Sequence, residues 1–399
     1  MKDMNGDRDD IHRSSFIVHR SSFRSLFPVT RNLIYFNHAA VGPLSVRAYE
    51  AMERHARDQR EHGALHWRDW YAEYDRAREA AAKLIGAQPD EIAILKNTSE
   101  GISFVAEGLR WREGDNVITT AFEFASNWTP WKRLERRGVE CRVAQLPTVA
   151  EIEKRIDDRT RVVTVSSVAF HNGFTADLNA IGELCASRNI RFFVDAIQSV
   201  GVLPIDVRAA KIDFLAADGH KWMCAAEGAA LFYVAQERRD ELEVLETGWT
   251  NVDRKGKFIL CDVDLMPDAR RFEAGSLNTN GIYGLRAALD LIHEIGSDVI
   301  REHALRVANA LAEGLQSIGW TCVTGQPGNR AAAQPTSPII GATPPNVEKS
   351  IRWFHGRLEE QGIVTAPREG LLRFSPHYYN DADEVARVLE VLSELSSSS

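Results

Sequence analysis

From Leu33 onward the chain alternates amphipathic helical segments with short apolar runs, and this alternation restricts the possible folds more than any other feature. Short apolar runs closed by turn or helix signals are the mark of strands buried on both faces, and the segments between them then serve as crossover helices. Strands are predicted at 91–95, 116–120, 161–166, 191–195, 214–217 and 229–234. Helices are predicted at 46–63, 67–85, 127–137 and 178–187, with Gly86 stopping the second. A helical stretch runs from 281 to about 318. It is followed by strand, helix, two strands and helix, interrupted by a Pro/Gly-rich segment at 325–345. The fold expected is α/β, with a mostly parallel central sheet in a large domain and a smaller C-terminal α+β domain. At 399 residues the chain exceeds what one core usually organises. The domains are read as 26–290 and 291–399.

Residues 1–25 are set apart by polarity and by a duplicated pentapeptide, His-Arg-Ser-Ser-Phe, at 12–16 and 19–23. Two copies cannot stack into a solenoid, and Asp3, Asp7, Asp9 and Asp10 are foreign to targeting segments, so a flexible N-terminal extension is expected. A net charge of -8 argues against a nucleic-acid partner. No apolar run approaches the ~20 residues of a membrane span. The cysteines, Cys141, Cys185, Cys224, Cys261 and Cys322, are odd in number and outside any ligand spacing. They read as free thiols in a reducing cytoplasm, with no metal site.

The strongest chemical signal is Asp-Gly-His-Lys-Trp at 218–222, directly after an apolar strand. An isolated lysine is usually a snorkelling surface residue. At a buried strand end, however, desolvation favours the neutral amine of Lys221, the form that condenses with an aldehyde. Asp195 and Gln198 close another strand, and neighbouring strand ends of an open sheet converge on one crevice. Asn-Thr-Ser-Glu-Gly at 97–101 opens a helix after a strand, where hydroxyls, free N–H groups and the helix dipole favour an anion such as phosphate; an ordinary N-cap explains the segment equally well. Phe124, after the strand ending near Thr120, offers a ring on which a planar group could stack. Together these are the demands of pyridoxal 5'-phosphate (PLP), which needs an amine, an acid for its ring nitrogen and a phosphate cradle.

In these motifs, in Tyr-Phe-Asn-His-Ala-Ala at 35–40, in Arg-Phe-Glu-Ala-Gly at 271–275 with Asn278 and Thr279, and in Leu-Arg-Phe-Ser at 372–375, the chain resembles the class V aminotransferase family of fold type I PLP enzymes. That family holds cysteine desulfurases, selenocysteine lyases, kynureninases and isopenicillin N epimerase, and the resemblance spans 33–395. It implies that Lys221 holds the cofactor covalently and works as a base, and that Asp195 pairs with the ring nitrogen. Gln198 would contact the phenolic oxygen, Thr98, Ser99 and His220 the phosphate, and Phe124 the ring face. Thr279 would reach the phosphate of a second subunit's cofactor, implying a homodimer, and Arg373 would clamp the carboxylate of an amino-acid substrate. The segment around His38, the stretch around Phe170 to Asn172, and 367–369 are assigned to the substrate side. A turn at Asn172-Gly173 explains Asn172 equally well.

Two departures from the family pattern bear on the reaction. Relatives that form persulfides carry a cysteine in the loop before the Arg373 position, whereas 364–370 reads Val-Thr-Ala-Pro-Arg-Glu-Gly, which disfavours a persulfide-forming desulfurase. Asp218 stands where many relatives place a hydroxyl, and its charge would repel a phosphate unless it were turned away. A carbon–sulfur β-lyase on cysteine or a cysteine S-conjugate is the reading preferred here. An aminotransferase using a keto-acid acceptor and an amino-acid epimerase are the alternatives. A catalytically silent relative is disfavoured by Lys221, Asp195 and Arg373 occurring together.

Overall fold

A computed structural model describes residues 23–253, 264–323, 335–345 and 348–397. Residues 1–22 of the expected extension, Cys261 and 325–334 of the Pro/Gly-rich segment lie outside the described residues. A seven-stranded sheet is made of β1 (Ile92–Leu95), β2 (Asn116–Thr120), β3 (Glu140–Ala144), β4 (Thr160–Ser166), β5 (Arg191–Asp195), β6 (Phe214–Asp218) and β7 (Ala230–Val234). Its order is β1-β7-β6-β5-β4-β2-β3, and only β7 runs against its neighbours. β1, β2, β6 and β7 are buried at every position, which is why they read as continuous apolar runs. The side chains still alternate between two cores: Phe192 and Val194 face one, Phe193 the other.

Helices α1 (Val46–His62), α2 (Trp67–Ile85), α3 (Thr98–Gly108) and α4 (Leu178–Ser187) follow the predicted pattern, and short polar caps fix the starts of α1, α3 and α4. Ser45, Asn97 and Asp177 each accept a backbone N–H from the first turn of α1, α3 and α4. Two expected helices differ. The helix expected at 127–137 is split into a 3-10 turn (Ala125–Asn127), a short helix (Thr129–Arg133) and another 3-10 turn (Leu134–Arg137). Pro130 sits in the first turn of the middle piece, where a proline starts a helix rather than continuing one. The stretch from 281 to 318 is two helices, α5 (Thr279–Ile295) and α6 (Ser297–Ser317), broken at Gly296 with φ 93°. The boundary read at 290 falls inside α5.

The smaller C-terminal domain contains a four-stranded antiparallel sheet of β8 (Thr321–Cys322), β9 (Ile340–Thr343), β10 (Ala366–Arg368) and β11 (Leu371–Phe374) in the order β8-β9-β11-β10. Helices α7 (Ile351–Glu360) and α8 (Ala382–Ser397) share a core with it that includes Trp320, Phe354, Leu372 and Phe374. The start of the described chain joins this domain: Ile34–Tyr35 pairs parallel with Ile363–Val364, and Asn37 bridges to Ser375. Among the described residues no helix is long and apolar enough to cross a membrane.

Candidate active site

The exits of β1, β2, β5 and β6 lie at one end of the sheet, where open α/β sheets bind ligands. There they surround a cavity of about 350 Å³, closed on the far side by β10 and β11. Lys221 follows β6 and is 9% exposed, with Nζ 5.6 Å from the centroid of the Phe124 ring. Burial lowers its amine pKa; Asp195 opposes that shift, and Arg373 adds to it. Asp195 ends β5 and is 2% exposed; its Oδ1 accepts the N–H of Ile197 at 3.1 Å. Burial raises its pKa, and the nearby carboxylate of Glu123 raises it further against the pull of Ile197 and Lys221. The two groups therefore shift toward each other, an arrangement suited to passing protons near neutrality.

In the same cavity Thr98 and Ser99 open α3 behind the Asn97 cap. The Thr98 hydroxyl accepts the N–H of Asp218 at 3.0 Å, and Ser99 Oγ donates to Ser126 Oγ at 2.8 Å. His220 Nδ1 lies 3.0 Å from Asp218 Oδ2, so the carboxylate is turned to an imidazole, while Asp218 Oδ1 is buried with no partner among the described residues. Gln198 is held by both ends of its amide, donating to Ala39 O at 3.0 Å and accepting Trp222 Nε1 at 2.9 Å, and keeps one N–H for a ligand. Gly42 brings the leading segment against this turn: a Cβ there would sit 2.1 Å from the Lys221 carbonyl oxygen.

Arg373, on β11, is 1% exposed. It donates to Phe170 O at 2.8 Å and to Asn37 Oδ1 at 3.1 Å, and its Nε is buried with no partner among the described residues. An unsatisfied buried donor of this kind costs about 1–3 kcal/mol. Burial and the neighbouring Arg368 pull its pKa down to about 9. The cavity thus brings together Thr98, Ser99, Phe124, Asp195, Gln198, His220, Lys221 and Arg373.

Three assigned residues do not line it. His38 is fully buried, its Nδ1 2.9 Å from Ser375 O and its Nε2 2.6 Å from the Tyr379 hydroxyl, so both ring nitrogens are engaged in packing the chain ends. Asn172 closes its own turn by accepting the Phe174 N–H at 3.1 Å. Thr279 begins α5 and is hydrogen-bonded to the Tyr74 hydroxyl. Neither Glu123 nor Asn37 was among the expected site residues. Glu123 is half-buried and accepts from Thr120, Asn127 and Ser166, which ties the turn bearing Phe124 to β4. Asn37 positions Arg373.

An amine and a carboxylate in one buried cavity, a hydroxyl-lined helix start with His220 at one end and an unsatisfied guanidinium at the other meet the requirements of PLP. The fold and the site define a fold type I PLP-dependent enzyme. Residues 34–388 match the family described as Aminotransferase class-V, and the chain belongs to that family. It is 32% identical over 394 residues to a protein of Methanothermobacter thermautotrophicus named "Probable cysteine desulfurase", covering 92% of this chain and 96% of that one. An apo cysteine desulfurase from Thermococcus onnurineus superposes with a TM-score of 0.85 at 26% identity over 94% of this chain and 98% of that one. The cystine C-S lyase C-DES, in complex with its product cysteine persulfide, shares the fold with a TM-score of 0.85 at 24% identity over 92% of this chain and 99% of that one.

These names correct the expectation that disfavoured a persulfide-forming desulfurase. A relative aligned along nine-tenths of this chain carries that name, and a cysteine-free stretch at 364–370 is no ground for exclusion. A sulfur-accepting thiol needs only to reach the cavity in space, which linear position does not decide. One of the cysteines, Cys261, lies outside the described residues.

Proposed function

We propose that this enzyme breaks the Cβ–Sγ bond of cysteine or a cysteine-derived amino acid, with persulfide-forming desulfuration of cysteine as the first form to test. The observation that carries the proposal is the convergence of Lys221, Asp195 and Arg373 on one cavity, in a chain similar to named cysteine desulfurases. PLP, when bound, supplies an aldehyde that captures the substrate amine and an electron-poor ring that spreads the charge left at Cα.

In this reading the chain's own groups do the rest. Arg373 holds the α-carboxylate through its fork, fixing which bond stands ready to break. Lys221 Nζ, its pKa lowered by burial, would take the proton from Cα. Asp195 would hold a proton at the ring nitrogen. Thr98, Ser99, His220 and the start of α3 would hold the phosphate, Gln198 would reach the phenolic oxygen, and Phe124 would offer its face to the ring. Thr279, away from its own chain's cavity, faces a second copy in a homodimer. The four cysteines among the described residues are free buried thiols, which accords with a cytoplasmic location.

One observation favours a second reading, direct β-lyase release of sulfur. Among the described residues no cysteine lines the cavity, and burial raises the pKa of Cys141, Cys185, Cys224 and Cys322. Incubating the PLP-loaded enzyme with cysteine decides between the two. Alanine with equimolar sulfur is the outcome of desulfuration, and pyruvate with ammonia that of a lyase. Turnover that demands a keto acid, or yields only the D-isomer, would overturn both.

A further inference from the structure

We infer that Asp58, His62 and His66, at the turn joining α1 to α2, form a site for a divalent transition-metal ion, with Zn²⁺ the ion their chemistry suits. Asp58 and His62 stand one turn apart at the end of α1 and so share a helix face. Gly63 ends the helix with φ 61° and ψ -126°, a conformation open to glycine, and the chain turns back. His66, the residue before α2, is thereby brought to the same aspartate. His62 Nδ1 and His66 Nδ1 each lie 2.8 Å from one oxygen, Asp58 Oδ1.

One ligand atom from each of the three lies within 4.8 Å of the other two. Around a tetrahedral zinc ion about 2.0–2.1 Å from its ligands, neighbouring ligand atoms stand about 3.3 Å apart. The two short edges therefore need to open by only about half an ångström, and the third closes by rotation of imidazoles that are 46% and 43% exposed. Two imidazole nitrogens with one carboxylate suit zinc, whereas Mg²⁺ and Ca²⁺ prefer oxygen sets. Each ring keeps its proton on Nε2 when Nδ1 goes to a metal. No cation stands in the ion's place from the flanking arginines, since Arg57 pairs with Glu53 and Arg60 with Glu61. No cysteine takes part, so the cysteine spacing that spoke against a metal site does not bear on this one. None of the three residues lines the active-site cavity. The ion's effect is to tie the end of α1 to the start of α2, both of which pack on α5.

Calorimetric titration of the tag-free, PLP-loaded enzyme with Zn²⁺ should reveal one saturable site per chain that Mg²⁺ does not fill. His62→Ala combined with His66→Ala should abolish it, and Asp58→Asn should weaken it by at least about 10-fold. His62→Ala alone, at an exposed position, should weaken it as much and makes the test independent of how the double variant folds. Zn²⁺ should also raise the melting temperature of the unaltered enzyme and leave that of the double variant unmoved. The absence of a saturable site in the unaltered enzyme, equal affinity for Mg²⁺, or zinc affinity unchanged by these substitutions would overturn the assignment.

Discussion

The two ends of the cavity are built in different ways. The end holding Lys221, Asp195 and Thr98 is made from exits of strands in one sheet, so each residue is placed by a few residues of local chain and the register of its neighbours. The end holding Arg373 is assembled from Asn37, Phe170 and β11, segments remote in sequence that meet only when the smaller domain packs against the larger. The first is a rigid platform, and the second depends on how two sheets are held together. Changes at the platform should therefore act on the cofactor and the chemistry. Changes at the assembled end should act on substrate capture and on stability.

The largest effect tests the platform. Lys221→Ala should lower turnover by about 10⁴-fold, the upper range for loss of a positioned proton-transfer group, and abolish the absorbance of lysine-bound cofactor. A variant keeping a tenth of the activity would remove Lys221 from the mechanism. At the opposite end, Arg373→Lys keeps the charge and discards the fork. Its kcat/KM should fall by about 10²-fold, while cofactor affinity, read by fluorescence titration, stays unchanged; weaker cofactor binding would show that the two ends are not separable.

A smaller effect follows from the joint behind Arg373. His38 and His377 are fully buried, and His377 Nε2 is 2.8 Å from Trp222 O. Burial lowers both pKa values, that of His377 to about 4. The folded protein thus binds fewer protons than the unfolded chain below the ordinary histidine value of about 6.5. Stability is complete above that pH and declines as the pH falls toward 4, by up to about 1.4 kcal/mol per pH unit for each imidazole. Melting curves from pH 7 to 5 should show the loss, and His377→Gln should flatten it. An unchanged slope would place the acid sensitivity elsewhere.

The same contrast explains what could be read from the sequence. Lys221, Asp195 and Thr98 each follow an apolar run directly, so the pattern that locates the strand locates the residue. Arg373 was legible only by family resemblance, and the place of His38 was not legible at all. Its partners, Ser375 O and the Tyr379 hydroxyl, lie 337 and 341 residues away, and nothing local distinguishes a histidine satisfied by such contacts from one facing a substrate. Asn172 was misplaced because a turn and a ligand contact call for the same residue. The break at Gly296 was missed because both flanking helices are amphipathic and periodicity continues across a single glycine.

The pairing of Ile34–Tyr35 with Ile363–Val364 has a consequence for biosynthesis. On a ribosome adding about 5–20 residues per second, the N-terminal segment waits roughly tens of seconds for its partner strand to emerge. The large sheet has all its strands by residue 234, well before that moment. Arg373 and the segment that positions it come together only after residue 373 has emerged, so a nascent chain is able to build its cofactor platform before it has anywhere to hold a substrate.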